Sequence, residues 1–319
     1  MTARAVGARS IASAFDTWDG LLTERVRRAV ATWGLAVVFV IITIDRTVRA
    51  VRLGTIALDL RIYRAAADAA IHGGDPWRAG VEGLTFAAPP PALIPYIPAA
   101  LLPESVAIVL YAGLSIVAGV FVLRALGLPL WWLLFPPLAE CFVVLNADVF
   151  VIALLVAGRR WAFAAIVFKV YAAVPLILQR RWVAVAIGGL VCALSLPLLA
   201  TFIADRDLIT AALDLQSSGG LSAWGSWLMV PTIIALVVLG RRGADWLSVP
   251  ALWPYTQLHY NVLALPIAAK SPIVAFLLSL AVWPLPAVAA MIYALQLVLV
   301  GYAAPYRAGA VKTAPSSSS

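Results

Sequence analysis

Few side chains in this sequence can do acid–base chemistry, and their positions pick out a handful of stretches. There are 15 acidic residues. None follows Asp245, and the densest group lies at 57–77, reading ALDLRIYRAAADAAIHGGDPW. A carboxylate placed there, Asp59 or Asp75, could take a proton from a hydroxyl as a general base. Each has a plainer use: aspartate before a helical run caps it, and aspartate before proline serves a turn. Asp68 and His72, four residues apart, read as a pair on a helix surface. His259 lies in TQLHYNVLALP between apolar runs. An imidazole there could donate to a phosphate or orient a sugar, or simply be satisfied by neighbouring backbone. Lys169 is an ammonium inside an apolar segment, where burial is costly unless it finds a partner or reaches an interface. Arg46 and Arg49 could hold a phosphate, or Arg49 could pair with Asp45 one turn earlier. Tyr260 suits an interfacial anchor more readily than a platform for a sugar. No cluster has metal-ligand spacing.

These residues must be positioned by elements that live in lipid. The chain is 63% hydrophobic and 12% charged, with a mean hydropathy of +0.98. A water-soluble globule uses about half apolar residues. Runs at 106–123, 128–145, 182–202 and 286–300 approach the roughly 20 apolar residues that cross a hydrocarbon core. Segments of this kind close their own backbone hydrogen bonds as helices. The expected fold is therefore an all-α polytopic membrane protein with about 9 to 11 transmembrane helices. A cytoplasmic interfacial amphipathic segment occupies 1–32, the transmembrane domain 33–305, and a disordered tail 306–319. The net charge of +8 does not imply nucleic acid, because the arginines are scattered in short pairs between apolar runs. They fit a topology in which Arg180/Arg181, Arg241/Arg242 and Lys270 face the cytoplasm while 52–85 and 204–223 face outward. Between 86 and 178 two arrangements remain. If every run crosses, Arg124, Arg159 and Arg160 lie outside; a broken segment at 161–178, interrupted by Lys169 and Pro175, puts them inside.

Order along the chain adds a resemblance. Asp59-Leu60-Arg61-Ile62-Tyr63, then Ala66, Ala69, Gly73 and Asp75-Pro76-Trp77, resembles the "DLxVY, alanine-rich helix, GxxPY" signature of glycosyltransferase family 87. These are polyprenyl-phosphate-mannose-dependent mannosyltransferases of the GT-C superfamily. FAAPPPALIPYIPAALLP, LNADVF, FKVYAAVPLIL and QLHYNVLALP follow in the family's order, over about 33–305. The chain departs from the pattern in being short, in carrying Trp77 for tyrosine, and in a degraded asparagine–glutamine motif. The resemblance implies a GT-C-like fold with a large first outer loop carrying a surface helix. It implies an inverting, metal-independent transfer of mannose from a polyprenyl-phosphate donor to a lipid-linked or glycan acceptor, without a cofactor. Asp59 stands at the family's acidic position and becomes the catalytic base. His259, Tyr63, Asp75, Arg46, Arg49, Lys169 and Tyr260 become substrate-binding candidates. The implied partners are the donor, the acceptor and membrane lipids, with no nucleic acid. The implied location is the plasma (inner) membrane, with the site toward the periplasmic or extracellular side. A non-enzymatic transporter of a small solute or lipid is the alternative, and it would gather its polar groups near the midplane.

Overall fold

The computed structural model describes residues 32–158, 161–216 and 220–311. Helices dominate, and the departure from an all-helical chain is a short hairpin in which Gly80–Val81 pairs antiparallel with Leu84–Thr85. All but the last residue of the amphipathic segment expected at 1–32 lies outside the described residues, as do Arg159 and Arg160. The last helix, Leu285–Val311, carries on into the stretch expected as a tail; 312–319 lie outside the described residues.

Proline decides which apolar runs become single helices. The run at 106–123 contains none and forms one helix, Glu104–Ala125, which starts after Pro103 and ends at Leu126 before Gly127 in the left-handed region. Among the described residues it is the one continuous helix long and apolar enough to cross a bilayer, and only 33% of its most apolar window is buried. The run at 182–202 bends by 57° between Trp182–Ala193 and Leu196–Ala204. Pro197 lacks the N–H to continue the helix, and the Ser195 hydroxyl donates to the Cys192 carbonyl at 2.7 Å. The run at 128–145 is not one span. Pro129, Pro136 and Pro137 divide it into a 3-10 turn, Leu130–Leu134, and a helix, Pro136–Val144, that stops at Leu145 with φ 53°. Of the two arrangements left open for 86–178, the one with a break at Lys169 is present. Helix Ala162–Phe168 ends there in extended backbone, followed by the 3-10 turn Val170–Ala172 and helix Ala173–Leu178.

The polar stretch after the 32–53 helix forms the expected surface helix, Leu58–Ile71, which buries Leu58, Leu60, Ile62, Tyr63, Ala66 and Ala67. It ends at His72 with Gly73 at φ 76°, the left-handed position that glycine adopts without penalty. Arg61 pairs with Glu82 at 2.8 Å and Glu104 at 3.3 Å. Arg64 donates to the carbonyls of Ala99 at 3.1 Å and Leu102 at 3.0 Å. These contacts fasten the helix over a small core that includes Trp77, Phe86 and Tyr96. A larger core gathers Trp132, Phe135, Leu138 and Ile152, and Phe150 and Phe168 pack against both.

Helix Trp182–Ala193 approaches helix Ala162–Phe168 through Gly188. A Cβ at Gly188 would stand 2.7 Å from Ile166 Cδ1 and 3.1 Å from the Phe163 carbonyl oxygen, whereas one at Gly189 meets nothing within 4 Å. Gly188→Val is expected to cost about 1–3 kcal/mol by overpacking, while Gly189→Val stays close to wild type. Thermal unfolding of the two variants side by side checks this. Equal unfolding temperatures would mean that the two helices can part without loss.

Candidate active site

Five of the residues singled out from the sequence meet at one cavity of about 340 Å³: Asp59, Tyr63, Lys169, His259 and Tyr260. Asp59 and Tyr63 are one turn apart on the surface helix, so both side chains face the same way. Lys169 is the residue at which the 161–178 segment breaks, and His259 and Tyr260 lie on the 3-10 helix Leu258–Ala264. The lining also includes apolar residues, among them Ala87, Ala88, Phe202 and Ile209.

Asp59 is not a helix cap. The N-cap is Ala57, no side chain caps this end, and Asp59 Oδ2 instead accepts a short hydrogen bond from Asn146 Nδ2. Asn146 is aimed by the turn that follows Leu145, and its Oδ1 accepts the Asp148 N–H at 2.9 Å, the local bond that asparagine makes readily. Burial holds the Asp59 carboxyl above its ordinary value, while the bond donated by Asn146 and the Lys169 charge pull it back.

Lys169 answers the cost of its placement with three kinds of contact. Its ammonium donates to Tyr63 Oη at 2.8 Å. It lies 5.1 Å from the centre of the Tyr63 ring and 5.9 Å from that of Tyr260, within cation–π range. It also acts at Coulombic range on the carboxylates of Asp59 and Asp148. Asp148 is fully buried, and its Oδ1 accepts a very short bond from the Tyr171 hydroxyl. Its Oδ2 has no hydrogen-bond partner among the described residues and stands 3.9 Å from His259 Nε2, too far for a direct bond. The His259 ring stacks on Tyr260 at 5.0 Å, and Tyr260 lies 5.0 Å from Tyr171.

Three expected binding residues are not brought to this cavity. Arg46 is turned to Glu140, with contacts of 3.0 and 3.1 Å, and Arg49 pairs with Asp45 at 2.9 Å on the same helix. Asp75 shapes a turn: Oδ1 accepts the Trp77 N–H at 3.0 Å and Oδ2 accepts from Arg78 Nε at 3.1 Å. Arg78 also reaches Asp205 at 2.9 Å, which joins the two segments expected to face outward. In each case a closer opposite charge or backbone group satisfies the side chain. His72 remains on the helix surface beside Asp68, at 3.4 Å.

Sequence reasoning assigned no role to Asn146, Asp148 or Tyr171. A signal for Asp148 was present, since a carboxylate inside an apolar stretch needs a partner as much as Lys169 does. Among the described residues no three His, Cys, Asp or Glu side chains gather as metal ligands. Comparison of the chain with family models, with curated proteins and with solved structures gives no match.

Lys169 and Asp148 form the coupled charges of the site. Lys169→Met is expected to destabilise the protein by about 3–5 kcal/mol, because it leaves buried carboxylates without their cation. Adding Asp148→Asn should restore part of that loss. Thermal unfolding of the single and double variants measures the coupling; a double variant no more stable than Lys169→Met would mean that the two charges do not compensate each other.

Proposed function

We propose that the protein is a polytopic membrane glycosyltransferase that moves mannose from a polyprenyl-phosphate donor to a hydroxyl of a lipid-linked or glycan acceptor, at the outer face of the plasma membrane. The observation that carries this reading is the meeting of Asp59, Lys169 and His259 in one cavity whose lining also includes Ala87, Ala88, Phe202 and Ile209. Such a cavity suits a ligand with a charged, sugar-bearing head and a hydrocarbon tail. The family-like order of motifs supports the same reading. For the membrane, the support is the exterior. Helix Glu104–Ala125 is apolar on all sides, yet Val109 and Val117 are 73% and 66% exposed, which fits a span facing lipid rather than a core helix.

In this reading the acceptor hydroxyl gives its proton to the Asp59 carboxylate as its oxygen bonds to the anomeric carbon. The bond from that carbon to the phosphate oxygen breaks in the same displacement, so the configuration inverts. The bonding electrons leave with the phosphate, where the Lys169 ammonium offsets the developing charge. Asn146 orients the base through its bond to Oδ2. His259 donates to the phosphate or to the sugar. No metal ion has a part in these steps, and turnover is expected to persist in excess chelator.

Asp59→Asn keeps the shape of the side chain but cannot take the proton, so turnover should fall by about 10²- to 10⁴-fold in protein as stable as wild type. The base works ionised and burial raises its pKa, so the acidic limb of kcat/KM should lie above the ordinary carboxylate value of about 3.9. The same shift makes ionisation of Asp59 unfavourable to folding. Its contribution to stability is complete below the ordinary value and is lost as pH rises through the raised one, a dependence that Asp59→Asn removes. Assays of polyprenyl-phosphate-mannose consumption across pH test the chemistry. Near-normal turnover by Asp59→Asn would remove it as the base.

Orientation has its own test. A single cysteine at Asp207, 96% exposed, in protein lacking Cys141 and Cys192, should react with an impermeant maleimide added outside the cell. Labelling only from the cytoplasmic side would reverse the topology.

A further inference from the structure

A second concavity of about 500 Å³ abuts the first, and Pro254 and Tyr255 line both. Its remaining lining is Asp214, Gly220, Ser222, Trp224 and Trp283. We infer that this second cavity is the acceptor site and that it receives a neutral sugar ring, stacked on tryptophan and held through its hydroxyls by Asp214. The inference rests on the glycosyltransferase reading and gives the acceptor a place and a chemistry.

Charge separates the two cavities. The first has Lys169 for an anion beside Asp59, whereas among the described residues Asp214 is the one charged residue that lines the second. A phosphate or an anionic lipid head would meet repulsion there. A neutral polyol would not, because a carboxylate accepts hydrogen bonds from two hydroxyls at once. Trp224 and Trp283 are 59% and 46% exposed. They present flat apolar faces beside polar groups, the combination that fits a ring with C–H faces and a hydroxyl rim.

The shared wall is fixed rather than draped. The Leu221 N–H donates to the Thr256 carbonyl at 3.0 Å and the Ala223 N–H to the Ala251 carbonyl at 2.8 Å. An added Cβ at Gly220 would stand in ordinary contact with Tyr255 Cα, at 3.5 Å, and Tyr255 itself is held at φ 59°. A strained residue kept by its surroundings is a feature that gathers at ligand sites. Pro254 and Tyr255 border both cavities, so an acceptor seated on the tryptophans lies next to the cavity that holds Asp59 and can extend its hydroxyl past their edge.

The test reads binding and not turnover, using full-length protein in lipid nanodiscs. The probes are octyl mannoside and octyl tetraethylene glycol, which share a tail and differ in the sugar. Saturation-transfer NMR titrations compare wild type with Trp224→Leu, Trp224→Phe and Asp214→Asn, all at exposed positions. Trp224→Leu and Asp214→Asn should each weaken octyl mannoside binding by about tenfold. Trp224→Phe should retain most of it. The glycol ether should bind all variants alike. Equal losses for both probes would overturn the inference, because the tryptophans would then be lipid anchors; so would unchanged mannoside binding. Sugar-specific binding in a protein that never transfers mannose would count against the glycosyltransferase reading alone.

Discussion

A single buried ammonium organises the interior. Lys169 sits where an apolar helix breaks, and a charge at such a place must be met on every side. Tyr63 meets it from the surface helix, Tyr260 from the 3-10 helix Leu258–Ala264, and the carboxylates of Asp59 and Asp148 balance its charge. Segments separated by up to some two hundred residues converge because none of these groups can be left alone in a medium of low polarity. The break also explains the position of the site. At this residue the backbone is extended, and the side chain reaches Tyr63 on the surface helix.

The lining of the resulting cavity mixes polar and apolar groups: Asp59, Lys169 and His259 share it with Ala87, Ala88, Phe202 and Ile209. Helix Arg206–Gln216 contributes Ile209 and directly follows Asp205, whose pair with Arg78 ties it to the surface-helix segment. Both segments expected to face outward therefore take part in enclosing one space.

Much of the site was legible in the sequence because rarity is informative in an apolar chain. Lys169, His259 and the acidic cluster stood out against their surroundings, and a break at Lys169 was one of the two arrangements the sequence left open. What could not be read was pairing. Arg46 and Arg49 looked like anion binders until Glu140 and Asp45 were seen beside them, and no spacing rule connects residue 46 with residue 140. Asn146 and Asp148 escaped for the same reason, since their importance comes from contacts with Asp59, Tyr171 and Lys169 that only the fold creates. Counting apolar residues was equally incomplete as a guide to helices. It found the run at 128–145 but overlooked that Pro136 and Pro137 start a helix there and cannot sit within one. The helical class was plain from composition, and the bends were written in the prolines.

The attachment of Asp59 has a consequence for how this scaffold can vary. The Ala57 N–H donates to the Val143 carbonyl at 2.9 Å, two residues before the carboxylate, and Asn146 holds the carboxylate itself. Its position is thus referenced to the interior helix Pro136–Val144 and the turn after it, while Trp77, Phe86 and the Arg61–Glu82 pair support the same helix from the outer segment. Lengthening the exposed hairpin tip at Gly83 would redraw the surface presented to a ligand without displacing Asp59. In the proposed reaction, recognition at the hairpin tip and chemistry at Asp59 would be separately heritable, and a lineage could trade one substrate for another by editing that tip while its chemistry stayed where it was.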